Sequence, residues 1–317
     1  MLIADAHCDS MLDVIRGQRH LYYCSKQGHV DFPRLKDAGV KVQFFALFIE
    51  SIYKPSGSLK RALQMISAFY EEIKMAGGQV EHITNLAQLE EVIQNSLAVG
   101  AILSIEGGEA LEGDLRVLDC LYRLGVRSIG LTWNQRNQIA DGVAERETGG
   151  GLTKFGVEVV KKMNKLGILI DLAHIAERGF WDVLNLSAKP VIVSHANCRC
   201  VFDHPRNLTD EQIMALQTTN SLMGITFAPE YISERPDLES LVKHIDHVCQ
   251  LTGNADCLCL GSDFDGTNPM VPGLEDVTRL PNLINNLEKL GYKSSDLKKI
   301  MGENLIGILK KTLEDEQ

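Results

Sequence analysis

Apolar runs of strand length recur along the 317-residue chain, and many of them end in an acid or a histidine. Leu2-Ile3-Ala4 leads into Asp5-Ala6-His7-Cys8-Asp9, and Ala101-Ile102-Leu103-Ser104-Ile105 ends at Glu106. Ile168-Leu169-Ile170-Asp171-Leu172-Ala173 ends at His174, Val191-Ile192-Val193-Ser194 at His195, and Leu258-Cys259-Leu260-Gly261-Ser262 at Asp263. Eight strands are expected in all, at about 2–7, 40–49, 99–106, 127–133, 167–174, 190–195, 222–228 and 257–263. Helical periodicity fills most of the intervals: Leu59–Met75, Leu115–Leu124, Phe155–Leu166, Gly179–Leu186, Asp210–Gln217 and Leu238–Leu251, with a tail helix over about Ser294–Leu313.

Strand alternating with helix implies parallel pairing and right-handed crossovers. Eight such units predict an α/β fold, a single-domain (β/α)8 TIM barrel over residues 1–317, with its active site at the C-terminal ends of the strands. An open dinucleotide-binding sheet is disfavoured, because His7-Cys8-Asp9-Ser10 stands where its glycine fingerprint belongs. No Pro/Ser-rich linker divides the chain. The longest irregular segments are about 17–35, 134–154 and 264–280, and the last two directly follow strands, where a barrel builds its site.

Composition narrows the partners. A formal net charge of −10 and a pI of about 5.4 argue against nucleic acid and against anionic membrane surfaces. No apolar stretch is long enough to span a bilayer, and the run after Met1 is too short for a signal segment. The cytoplasm is the expected location. The eight cysteines include no Cys-x-x-Cys pair and are expected to be reduced and non-ligating, Cys198 and Cys200 fitting that reading less well than the others.

A buried strand has no use for a charge at its tip unless something compensates it. His7 and Asp9 are two apart on an extended run, so both point to one side and can chelate one ion. Glu106 closes the third run, and His174 and His195 lie one βα unit apart, which makes them neighbours in a barrel. Five such ligands suit two metals sharing a bridging carboxylate. Imidazole and carboxylate donors favour zinc, with manganese, cobalt or iron as alternatives. Asp263 at the eighth strand tip is then placed to orient a metal-bridging hydroxide and carry its proton. Asp265 shares its parity, and Asp263 is preferred because it lies closer to the apolar run. His244 and His247, three apart, could pair as ligands but read as an exposed helical face. No Gly-x-Ser-x-Gly elbow or phosphate loop is present.

Taken together, these motifs resemble the membrane (renal-type) dipeptidase family, peptidase family M19, zinc dipeptidases of the amidohydrolase-like barrel group. The resemblance runs through Asp5-Ala6-His7-Cys8-Asp9, Ile105-Glu106-Gly107-Gly108, Asp171-Leu172-Ala173-His174 and Ser194-His195-Ala196-Asn197. It continues in Pro205-Arg206-Asn207, Gly261-Ser262-Asp263-Phe264-Asp265-Gly266, Pro272-Gly273-Leu274-Glu275-Asp276 and Gly302-Glu303-Asn304-Leu305. It implies two Zn2+ per subunit, one on His7 and Asp9 and one on His174 and His195, bridged by Glu106 and a water or hydroxide, with Asp263 as the catalytic carboxylate. It also implies that Arg206 binds the C-terminal carboxylate of the substrate and that Tyr231 contacts it. Without it, Arg206 reads as a surface arginine beside a helix start and Tyr231 as a packing tyrosine. Trp133 departs from the pattern, standing where vertebrate members carry a histidine that polarises the scissile carbonyl. Indole donates one hydrogen bond and carries no proton, so that task passes to the metals, to Asn134 or to another loop residue.

The expected activity is hydrolysis of dipeptides, including those with a C-terminal D-residue, by attack of the metal-bridging hydroxide. The rival readings are an amidohydrolase acting on N-acyl amino acids or cyclic amides with the same centre, and a non-catalytic metal-binding scaffold. The resemblance admits a homodimer.

Overall fold

The computed structural model describes residues 1–94 and 98–313. Among these residues nine strands form one parallel sheet: β1 (Ile3–Asp5), β2 (Val40–Phe48), β3 (Val80–His82), β4 (Val99–Glu106), β5 (Val126–Gly130), β6 (Leu169–Asp171), β7 (Ile192–Ala196), β8 (Leu222–Ile225) and β9 (Leu258–Leu260). Successive neighbours run from β2 through β1, β9, β8, β7, β6 and β5 to β4, and pairing of β2 with β4 from Val42↔Gly100 to Phe48↔Glu106 closes the ring. The result is the expected (β/α)8 barrel of eight parallel strands. β3 lies outside the ring, paired to the first residues of β4 (Val80↔Val99 to His82↔Ala101) on the edge that β5 takes up from Leu103 onward.

Neighbouring residues of one strand belong to different cores. Phe44, Ile102, Leu169, Ile192 and Cys259 join one apolar cluster, whereas Phe45, Leu103, Ile170, Val193 and Leu260 join the other. Side chains alternate across a strand, so each strand buries both faces, one inside the ring and one under the surrounding helices. That two-sided burial is why the strands read as continuous apolar runs. Helices Leu86–Gln94 and Asn304–Thr312 pack together at the end of the barrel away from the loops that follow the strands.

The expected helices are present with small shifts of boundary, at Ser58–Met75, Leu115–Arg123, Lys154–Leu166, Glu177–Leu186, Asp210–Thr218 and Leu238–Thr252. The tail is not one helix. Ser294–Lys298 and Asn304–Thr312 are separated by a wider turn at Lys299–Glu303, centred on Gly302. A Cβ on Gly302 would lie 2.6 Å from Leu2 Cδ2 and 2.8 Å from the Leu2 carbonyl oxygen, so the break seats the tail directly against the start of β1. His244 is fully buried, contrary to the exposed face expected for it. Its Nδ1 accepts from the Cys198 N–H (3.0 Å) and its Nε2 donates to the Ile232 carbonyl (2.9 Å).

Candidate active site and metal centre

All the expected ligands arrive at one mouth of the barrel. His7 and Asp9 follow β1, Glu106 ends β4, His174 follows β6, His195 lies in β7 and Asp263 follows β9. Two of these residues hold left-handed backbone, His174 (φ 65°) and Asp263 (φ 63°). That region is unfavourable for side chains bearing a Cβ, and its use here turns each chain inward at a strand tip.

Glu106 stands between two groups of donors. Its Oε1 lies 2.9 Å from His174 Nε2 and 3.7 Å from His195 Nε2, and its Oε2 lies 3.8 Å from His7 Nε2. His7, Asp9 and Glu106 form one trio whose ligand atoms lie within 4.8 Å of one another, and Glu106, His174 and His195 form a second. Asp263 joins from the side, its Oδ1 3.8 Å from His7 Nε2. Asp265 does not join. It is bound to Ser10 Oγ, to Arg19 Nη2 (2.5 Å) and to the His29 N–H (2.5 Å), and so serves the loop scaffold.

The outer partners of the histidines decide which ring nitrogens carry lone pairs. His174 Nδ1 lies 2.7 Å from Asn134 Oδ1, an acceptor, so this nitrogen carries the proton. Ser194 Oγ gives its hydrogen to Asp171 Oδ2 (2.6 Å) and therefore accepts from His195 Nδ1 at 2.8 Å. In the neutral rings both Nε2 atoms are then bare, and they face each other at 2.8 Å. Two converging lone pairs repel each other, and a cation bound beside them relieves that repulsion. Burial, reinforced by Arg206 and His7, holds both rings well below the ordinary histidine range and keeps them in this ligand form.

The carboxylates make the same demand. Burial raises Glu106 well above the usual range, with Asp9 adding to it, and raises Asp263 to about 7. Burial acts to lower His7, but Asp9, Glu106 and Asp263 outweigh it and push the ring up to about 10. Asp9 Oδ1 is buried with no partner. A Cβ at Gly266 would sit 2.2 Å from Asp263 Oδ1 and 2.3 Å from Asp9 Oδ2, so glycine keeps the space between those two acids open. A buried cluster of acids and bare imidazoles fits divalent metal ions, whose charge reverses these shifts.

The cavity over this cluster measures about 220 Å3; besides Asp263 and the ligand side chains, its lining includes Leu12, Phe48, Trp133, Asn134, Glu230, Tyr231, Gly266 and also Asp265, which touches the cavity while bound to the loop scaffold. Trp133 packs on Phe48 (ring centroids 5.0 Å apart) and lies 5.9 Å from His174, with the Lys54 ammonium 5.2 Å from the indole centre. Lys54 in turn lies 3.1 Å from Glu109 Oε1 in a largely buried ion pair. Arg206 is buried, with its guanidinium 5.5 Å from the Tyr231 ring centre. Its Nη2 donates to the His195 carbonyl (2.9 Å), its Nε has no partner, and it makes no ion pair among the described residues. Phe48, Lys54, Glu109 and Glu230 were not marked by the sequence pattern. Of these, Glu230 directly precedes Tyr231, and Phe48 falls inside the strand expected at about 40–49.

A closed parallel barrel with a buried histidine–carboxylate cluster at its C-terminal mouth defines a metal-dependent hydrolase barrel. The model of the membrane dipeptidase family (peptidase family M19) matches residues 1–317, and the chain belongs to that family; it is a metallodipeptidase. It is 32% identical over 259 residues to an uncharacterised protein in the pqqA 5′ region of Klebsiella pneumoniae, covering 78% of this chain and 94% of that one. A metallopeptidase from Rhodobacter sphaeroides, crystallised with a phosphinate mimic of L-Ala-D-Ala, superposes with a TM-score of 0.92 at 28% identity, covering 98% of this chain and 99% of that one. The dipeptidase AC, of the same family, gives a TM-score of 0.92 at 29% identity over 99% of both chains.

Proposed function

We propose that this chain is a two-zinc dipeptidase that removes a single C-terminal residue, of either L or D configuration, from an unblocked dipeptide. The carrying observation is Glu106, whose two oxygens face different histidines, His174 on one side and His7 on the other. That is the arrangement a bridging carboxylate needs. When bound, a pair of divalent ions supplies Lewis acidity toward the peptide carbonyl and a water activated at neutral pH.

The protein's own groups do the rest. His7 and Asp9 would hold one ion, and His174 and His195 the other. Asn134 fixes the His174 tautomer, and the Ser194–Asp171 pair fixes that of His195. Asp263 takes the proton of the attacking water and returns it to the departing amine. Arg206 has an unpartnered Nε and no ion pair among the described residues, which suits it to the substrate carboxylate, with Tyr231 packed beside it. Phe48 and Trp133 form an apolar wall for the remainder of the substrate. The phosphinate mimic held by the Rhodobacter sphaeroides enzyme supports acceptance of a C-terminal D-residue.

The test compares L-Ala-L-Ala and L-Ala-D-Ala with their N-acetylated, C-amidated and tripeptide relatives on metal-quantified enzyme. Both free dipeptides are cleaved, and amidation lowers kcat/KM by roughly 100-fold through loss of the charge-assisted contact to Arg206. Preferred cleavage of the N-acetylated compound overturns the reading in favour of an N-acyl amino acid hydrolase.

A further inference from the structure

Outside the barrel mouth, three donors of different chemistry meet where the loop after β7 touches two helices. They are the Cys200 thiol, the Asp210 carboxylate and the His247 imidazole, with ligand atoms within 4.8 Å of one another. Among the described residues this is the group of potential metal ligands that shares no member with the active site, and the one that contains sulfur.

Each donor sits on a fixed element. Cys200 lies in a turn held by N–H bonds from Val201 and Phe202 to the Cys198 carbonyl (3.2 and 3.1 Å) and from Arg199 to the Leu208 carbonyl (2.8 Å). Asp210 opens helix Asp210–Thr218, whose start is set by the reciprocal Thr209–Gln212 cap. His247 belongs to helix Leu238–Thr252. That helix is already fastened to the Cys200 turn one turn earlier, where His244 Nδ1 receives the Cys198 N–H and the Cys198 thiol points at the His244 carbonyl (3.4 Å). The donors are therefore brought together by structure that does not depend on them.

His247 Nε2 lies 2.7 Å from Asp210 Oδ1. Tetrahedral zinc, with N and O ligands at about 2.0 Å and S at about 2.3 Å, keeps its donors roughly 3.3–3.5 Å apart. With all three ligand atoms within 4.8 Å of one another, side-chain rotation can bring them to that spacing. The charges also balance: thiolate and carboxylate offset the two positive charges of the ion, and the imidazole stays neutral. Binding releases the thiol proton to solvent. Cys200 is exposed, so the fourth position of an ion held there would be open to solvent.

We propose that Cys200, Asp210 and His247 form a second metal site for a thiophilic divalent cation such as zinc. An ion there clamps the segment that carries Arg206 to helix Leu238–Thr252.

The test titrates cobalt(II) into the full-length enzyme past the amount that fills the barrel mouth. Nitrogen and oxygen donors at the mouth give no sulfur-to-cobalt charge transfer, so the expected near-ultraviolet band reports the new site alone. Cys200→Ser abolishes this band, and Cys24→Ser keeps it. His247→Gln weakens cobalt binding at the site by at least about tenfold. Dipeptide hydrolysis by Cys200→Ser stays at the wild-type rate. Absence of the band at millimolar cobalt overturns the proposal, as does a band that survives in Cys200→Ser.

Discussion

Asp263 and Asp265 share strand parity and differ in what they touch. Asp263 faces His7 across 3.8 Å, whereas Asp265 is bound to Ser10, Arg19 and His29. Asp263→Asn is expected to lower kcat by roughly 100-fold or more, with both metals retained. Asp265→Asn should instead strip a buried guanidinium of one partner and cost about 3 kcal/mol of stability, read as a shifted urea midpoint. Equal losses of kcat in the two folded variants would dissolve the distinction. The sequence marked His7, Asp9, Glu106, His174, His195 and Asp263 because each ends an apolar run. It did not reveal that Asn134 holds His174, or that Ser194 and Asp171 hold His195, since those contacts depend on how side chains turn at the mouth. Asn134→Ala is expected to weaken metal binding about 10- to 100-fold, measured by competition with a chelator.

At the scale of elements, the eight ring strands were legible from their apolar runs, and β3 was not. Val80–His82 is three residues long and two of them are polar, so no run marks it. Phe32–Asp37 also went unseen, although Asp31 as cap and Pro33 in the first turn are start signals. The tail was expected as one helix because its apolar spacing continues through Gly302, where the break serves close approach to Leu2. Gly302→Ala should cost about 1–3 kcal/mol by overpacking against β1; an unchanged melting temperature would contradict this. A half-buried histidine, His82, and a fully buried one, His244, tie elements together while neutral. Burial lowers His82, bonded to the Gly125 carbonyl (3.0 Å), and His244 from 6.5 to about 4. The unfolded chain therefore binds more protons between about 4 and 6.5, so their stabilisation is complete above 6.5 and is lost as the pH falls toward 4. Each contributes up to about 3 kcal/mol across that window. His244→Gln should flatten the acid limb of the stability profile, and an unaltered slope would count against it.

At the scale of the whole molecule, the barrel gathers groups from the two ends of the chain, His7 and Asp263, and buries them as a cluster that needs positive charge. Chelation should abolish dipeptide hydrolysis and lower the melting temperature, because ions bound only by the folded chain stabilise it by mass action. The central claim is a pair of ions sharing Glu106. Its most direct test is zinc titration of metal-free enzyme carrying Cys200→Ser, with bound zinc and L-Ala-D-Ala turnover measured on the same samples. Turnover that reaches its plateau at two zinc ions per chain is predicted. A plateau at one ion, or full turnover with no metal bound, would contradict the account.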